Sequence, residues 1–375
     1  MAVTSLYRTR PHVVIPNPVS HPVSKLFEPL AQRSLQLRNR IVVSPMCQYS
    51  AEDGVPNDWH LVHLGSRAVG GAAVVVAEAT AVSPEGRISP HDTGLWNEAQ
   101  VVAWARINAF IAEHGAIPAV QLAHAGRKAS TDAPWHGHGP VPAALGGWTP
   151  VAPSPLAFDP QSPVPLALDE AGLRKVVDDF VMAAGRAYAA GFRIVEVHAA
   201  HGYLLHEFLS PLANQREDHY GGSFDNRVRL LLEVVDAVRA AWPAELPLWV
   251  RISATDWAEG GWDLPQSVEL ARRLRERGVD LIDVSSGGLV PNARIPLEPG
   301  YQAPFAQRIR EEAGIPTGAV GLITEPTHAE ALVADGVADV VLMGRELLRD
   351  PYFPRRAAHA LGADLPPPPQ YQRAW

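Results

Sequence analysis

His198, His201 and Tyr203 fall within the six-residue run HAAHGY, directly after the apolar stretch Phe192 to Val197. Two imidazole N–H groups can hold a developing oxyanion. A phenol, with an ordinary pKa of about 10, stays protonated at neutral pH and can donate. The trio therefore suits an enzyme that grips a carbonyl or nitro oxygen and delivers a proton close by. The same histidines could bind zinc, with His124, Glu78 and Asp283 as further ligands, which makes a metal-dependent barrel hydrolase or lyase the alternative. The bland reading is that they cap a strand while Tyr203 packs on a helix. A barrel that only binds a ligand is the non-catalytic option.

Such residues need a scaffold that brings strand ends together. Period-two alternation places Ile194, Glu196 and His198 on one face of their run, with His198 at its carboxyl end, where α/β barrels keep their chemistry. Apolar runs predict strands at about 41–45, 72–79, 117–123, 192–198, 246–253, 281–285, 317–320 and 340–344. Helical patterns fall near 98–114, 169–190, 226–242, 265–277, 301–313 and 325–334. Eight strands alternating with helices predict a single-domain (β/α)8 TIM barrel over residues 26–360. An open doubly wound sheet is the runner-up, but no GxGxxG strand-to-helix turn is present. Residues 126–168, rich in proline and glycine, form a long loop after strand three and read as a lid or substrate wall. Residues 1–25 read as an irregular lead-in and 361–375, with four consecutive prolines, as a stiff extended tail.

Other side chains at predicted strand ends carry chemistry with open readings. Cys47, in SPMCQY, could be a nucleophile or an inert buried thiol. Glu78 closes an apolar run and reads mostly as a buried structural carboxylate. Gln121 shares its facing with Ala119 and Ala123, so its amide must be hydrogen-bonded, to a ligand edge or to an interior water network. Arg251 interrupts an apolar strand and must meet a carboxylate such as Glu196, or a ligand anion. The glycines of GAVGLIT and LMGRELL expose backbone N–H groups, and Arg345 could clasp a phosphate there; turn chemistry explains the same glycines.

The run HAAHGYLLHEFLSP followed by YGGSFDNR resembles the signature of the Old Yellow Enzyme family of FMN-dependent ene-reductases, in its thermophilic-like, or YqjM-like, subgroup. The resemblance runs from about Lys25 to Trp375. It implies a tightly bound, non-covalent FMN contacted by Ser44, Pro45, Met46, Cys47, Ala79, Gln121, Arg251, Gly288, Gly321, Gly344 and Arg345. Cys47 would tune the flavin rather than attack, and Arg251 would sit near its N1 and O2. NADPH would reduce the flavin, whose hydride then passes to the β carbon of an α,β-unsaturated carbonyl or nitro compound. In that picture His198 and His201 hold the substrate oxygen, Tyr203 protonates the α carbon and Tyr49 touches substrate. The closing Tyr371, Arg373 and Trp375 resemble a segment that crosses a dimer interface and inserts the arginine into the neighbour's active site, so a homodimer or dimer of dimers is implied.

Composition limits the alternatives. Of 375 residues 47% are hydrophobic and 19% charged, as in a globular protein with a sizeable core, while a net charge of −8 without any basic run argues against nucleic acid as a partner. Cys47 is the single cysteine, which excludes an internal disulfide and a cysteine-held iron–sulfur cluster, and with it a resemblance to the cluster-bearing dienoyl-CoA reductase branch. Pro11, Pro16, Pro18 and Pro22 interrupt any signal-peptide core, and no apolar run suits a membrane span, so the expectation is a cytoplasmic enzyme.

Overall fold

The structure, a computed structural model, describes residues 24–375; the expected lead-in therefore lies almost wholly outside the described residues. Eight strands, β1 (Ile41–Val43), β2 (Val74–Ala81), β3 (Ile117–Ala123), β4 (Ile194–Ala199), β5 (Leu248–Ser253), β6 (Leu281–Ser285), β7 (Thr317–Val320) and β8 (Val340–Met343), close into a barrel in chain order. Every neighbouring pair is parallel. Burial on both faces explains why β2 and β5 read as near-continuous apolar runs. The barrel expected from the alternation is thus the one observed.

The outer layer consists of α1 (Asp58–Gly70), α2 (Glu98–Glu113), α3 (Glu170–Ala189), α4 (Arg229–Ala241), α5 (Leu264–Glu276), α6 (Ala303–Ala313), α7 (Pro326–Ala334) and α8 (Phe353–Ala360). Side-chain caps fix several starts: Asn57 accepts from Trp59 N, Asn97 from Gln100 N, Asp169 from Gly172 N and Asp263 from Gln266 N. Helix α1 is not evident in the sequence pattern because its buried face mixes His60, His63 and Arg67 with only Leu64 and Ala68 as aliphatic residues. Between helices and barrel lies the main core, where Trp104 meets Phe192 edge-on at 5.4 Å between centroids.

The barrel interior is layered, and the layers position the site. Val42, Val74, Val76, Ala119, Ile194, Trp249, Leu281, Val340 and Leu342 form an apolar bottom, plugged by an antiparallel hairpin (Leu30–Gln32 with Leu35–Leu37). Two residues further along the strands the lining turns polar, with Ser44, Gln121, Glu196, Arg251 and Asp283, all buried. One more step brings Ala123, His198, Ser253 and Ser285 to the carboxyl rim. Strand β2 joins this layer through a bulge between Ala77 and Ala79, which aligns Ala79 with Gln121. Glu78 is thereby turned away: its Oε1 accepts from Gln48 N at 3.0 Å, and Oε2 lies 3.7 Å from His60 Nε2 on α1.

Residues 126–168, expected to lack regular structure, contain short 3-10 turns, a single antiparallel bridge of Thr131 with Pro140 and a two-residue pairing of Val151–Ala152 with Leu166–Ala167. The segment is tied down by Arg216, whose Nη1 donates to the carbonyls of Pro153 and Leu168 at 3.0 and 2.6 Å.

Candidate active site

His198 lies on β4 one residue from its end, and His201 and Tyr203 follow in the loop that leads to the short helix Leu204–Leu209. The His198 ring packs edge-on against both partners, with centroids 5.2 Å from His201 and 5.1 Å from Tyr203. His201 adopts a left-handed backbone (φ 59°), an uncommon and costly state for a non-glycine residue. Three contacts hold it there: its N–H donates to Ser253 Oγ at 2.9 Å, its Nε2 meets Ser285 Oγ at 2.7 Å, and its carbonyl accepts from Lys128 Nζ at 2.8 Å. Lys128 also donates to Gly288 O at 2.7 Å, tying the β4 and β6 loops together, and burial draws its amine down to about 8. Gly288 packs so closely that a Cβ there would lie 2.6 Å from His201 Cα. It supports the histidine loop and does not line the cavity that holds Gly321 and Gly344.

Burial, reinforced by Arg251, lowers the basicity of both imidazoles, so each is neutral near pH 7 and offers one N–H. Neither ring nitrogen of His198 has a hydrogen-bond partner among the described residues, and Nδ1 is sealed from solvent. The Tyr203 phenol is pushed up by burial and stays protonated. It joins Tyr49, Cys47, Ala79, Ala123, Ala125 and Ala129 in a small apolar cluster, rich in short side chains, that Tyr203 links to the His198 ring. Burial first, then Asp92 and Glu78, push the Cys47 thiol upward, which removes the thiolate that nucleophilic attack would need. Tyr49 shares the left-handed backbone (φ 49°) and stacks edge-on with Trp135.

On the other side of His201, Ser285 forms part of the wall of a cavity of about 220 Å³. Gly321, Leu322, Gly344, Arg345 and Arg349 line it at the loops after β7 and β8, where barrels of this kind commonly hold phosphate. Arg349 is matched by Glu346 at 2.6 Å, whereas Arg345 makes no ion pair or hydrogen bond among the described residues. An unmatched guanidinium beside two exposed-backbone glycines fits a phosphate. Met46 borders the same place, its Sδ 3.6 Å from where a Gly344 Cβ would stand, and Ser44 N donates to Met343 O at 3.1 Å.

Residues 25–364 match the family described as NADH:flavin oxidoreductase / NADH oxidase. The chain belongs to this flavin oxidoreductase family. The NADPH dehydrogenase of Geobacillus thermodenitrificans (strain NG80-2) is 49% identical over 352 residues, covering 93% of this chain and 98% of that one. Among solved structures, morphinone reductase superposes with a TM-score of 0.76 at 30% identity and covers 94% of each chain. A 2-naphthoyl-CoA reductase in complex with 2-naphthoyl-CoA superposes with a TM-score of 0.81 at 26% identity; this chain spans 52% of its length. The Old Yellow Enzyme membership expected from the motifs is therefore borne out, and these relatives share the flavin oxidoreductase barrel described above.

One alternative is ruled out, and the carboxylate partner expected for Arg251 is Asp283 in place of the example Glu196. The metal-dependent alternative fails on placement: Glu78 faces His60 on the outer side of β2, and His124 spends its Nδ1 on Gly126 N at 3.1 Å. No group of three or more His, Cys, Asp or Glu is placed to hold a metal among the described residues. Arg251 pairs with Asp283 (Nε to Oδ2, 3.1 Å) and not with Glu196, because Asp283 is its register neighbour while Glu196 is opposite Trp249. Sequence reading missed Ser285 and Lys128 as supports of His201. Asp283 and Ser285 lie on the Leu281 face of β6, so alternation alone could have singled them out. Arg373 lies in the exposed tail and makes no hydrogen bond or ion pair among the described residues; Tyr371 meets Tyr352, hydroxyl to hydroxyl, at 3.5 Å.

Proposed function

We propose that this NADPH-dependent FMN oxidoreductase reduces the C=C bond of α,β-unsaturated ketones, aldehydes, imides and nitroalkenes. The supporting observation is a pair of donors left free side by side: the neutral His198 ring, with no hydrogen-bond partner among the described residues, and the protonated Tyr203 hydroxyl beside it. An oxygen held by the N–H groups of His198 and His201 draws electron density out of the conjugated bond, and this interaction strengthens as negative charge grows on that oxygen. Tyr203 is then positioned to give its proton to the α carbon, and Tyr49 and the alanines shape the space for the alkene. Bound FMN supplies the hydride chemistry, reloaded by NADPH. Steady-state NADPH oxidation with cyclohexenone tests the reading; no turnover by a flavin-loaded protein that NADPH does reduce would reject it.

For the cofactor we propose that Arg345, with the backbone at Gly321 and Gly344, clasps the phosphate, and that Ser44, Gln121 and Arg251 meet the polar edge of the ring while Pro45, Met46, Cys47 and Ala79 line it. A charge-assisted hydrogen bond is worth about 1.5–3 kcal/mol. Arg345→Ala should therefore weaken FMN binding by roughly one to two orders of magnitude, read as loss of visible absorption on dialysis and by titration of the stripped protein; unaltered affinity would remove Arg345 from the phosphate site.

For the tail we propose that Tyr371, Arg373 and Trp375 complete the active site of a second copy in a homodimer. The support is an exposed Tyr371 and Trp375 beside an unpaired arginine. Truncation after Pro369 should raise KM for the alkene and weaken self-association in sedimentation; an unchanged KM in a persistent monomer would discard the idea.

A further inference from the structure

The polar layer under the site contains more buried acid than its single cation can match. Gln121, Glu196, Arg251 and Asp283 come from consecutive strands β3 to β6, with Gln121 opposite Glu196 and Arg251 opposite Asp283. Gln121 Nε2 donates to Glu196 Oε1 at 2.8 Å, Arg251 Nε lies 3.1 Å from Asp283 Oδ2, and Arg251 Nη1 donates to Ser44 Oγ at 3.2 Å. The two carboxyl groups project into one buried layer from the strands on either side of Arg251, and each alters the acidity of the other. Taken as ionised, they leave Glu196 Oε2, Asp283 Oδ1 and Asp283 Oδ2 without a hydrogen-bond donor among the described residues, although both residues are 0% exposed. Buried acceptors are rarely left so, and two carboxylates in one dry site cannot both stay charged against one guanidinium.

We propose that Glu196 and Asp283 share one proton in the barrel floor, Glu196 holding it, and that this pair positions Arg251 so that its charge is matched once and no net negative charge lies beneath the flavin ring. The proposal rests on the flavin reading above. One proton between the carboxyls gives two orphaned acceptors a partner. It also leaves Gln121 and Arg251 tied to opposite ends of a single chain that runs from β3 to Ser44 after β1. Burial and the Asp283 charge push the Glu196 carboxyl upward against the weaker pull of Arg251 and Gln121, whereas Asp283 pairs directly with Arg251 at 3.1 Å, so the proton belongs on the Glu196 side.

No other charge answers the pair. Gln121 on β3 is a neutral amide, and His198, the next inward residue of β4, is held neutral. β1, β7 and β8 present only apolar residues, glycine and threonine, and the one acid of β2, Glu78, faces His60. With both acids ionised, the floor would be net negative beneath a ring that gains negative charge on reduction, and reduction would be opposed.

The test uses the FMN-loaded enzyme. Infrared spectra in H2O and D2O at neutral pH should show a buried protonated-carboxyl C=O band that shifts on deuteration and disappears in Glu196→Gln. Absence of the band in the parent enzyme, or its persistence in the variant, would overturn the proposal. In spectroelectrochemical titration, Glu196→Gln, which mimics the protonated acid, should change the ratio of reduced to oxidised flavin at a fixed potential by less than about threefold. Asp283→Asn, which strips Arg251 of its counter-charge, should raise it at least about tenfold, or about 30 mV for a two-electron couple. Equal shifts in the two variants would count against the assignment. If Asp283→Asn does not fold, the infrared arm still decides. A protein that binds no FMN would instead defeat the flavin reading, and the band would remain measurable in the apoprotein.

Discussion

Replacing both His198 and His201 with alanine should lower kcat/KM for an enone by about three orders of magnitude or more while FMN remains bound. Removing a single oxyanion donor typically costs a factor of about 10² to 10³. The two rings pack against each other at 5.2 Å and on the proposed reading serve one oxygen, so their losses should not simply multiply. Flavin retention is the informative half of the result. Arg345 and Gly321 line a cavity that neither imidazole enters, so the phosphate grip should survive the double substitution. Phenol affinity, followed through the visible spectrum, should fall with the enone kinetics. Loss of the yellow colour instead would place the histidines in cofactor binding and undo the substrate assignment. Because burial keeps both rings neutral, binding of a neutral enone should be flat through about pH 6 to 8. A step in that range would show that one imidazole titrates and acts as an acid.

The second large effect concerns Tyr203→Phe. General acid catalysis is worth a factor of about 10² to 10⁴, and the loss should fall on reoxidation of the reduced enzyme by the enone. Reduction by NADPH, which needs no proton from a phenol, should change little. Stopped-flow measurement of the two half-reactions separates these. The Tyr203 ring packs on His198 and on the alanine cluster, so phenylalanine preserves the packing and removes only the hydroxyl. Equal slowing of both halves would point to a displaced cofactor. An unslowed oxidative half-reaction would mean that the proton reaches the α carbon from solvent.

Much of this was open to reading along the chain. The spacing of eight apolar runs led to the barrel, since a parallel strand buried on both faces must be apolar almost throughout. Alternation along Ile194, Glu196 and His198 put the first histidine at the rim, and a lone arginine within LWVRIS announced a buried pairing. Helix α1 escaped because His60, His63 and Arg67 occupy its buried face, and the base hairpin because three-residue strands carry too few positions for a period.

The limit of the linear reading is contact across strands. Simple alternation from Val74 and Val76 would bring Glu78 into the barrel; a bulge that only the pairing with β3 reveals puts Ala79 there and sends the carboxylate to His60. Register with β6 decided that Arg251 meets Asp283, and the shared acid of Glu196 follows from that choice. Ser285 and Lys128, which hold His201 in its left-handed backbone, lie 84 and 73 residues away from it in sequence. Side-chain type and period are local properties and can be read from the sequence; which strand stands beside which, and at what offset, is settled only when the barrel closes, because closure fixes every register at once.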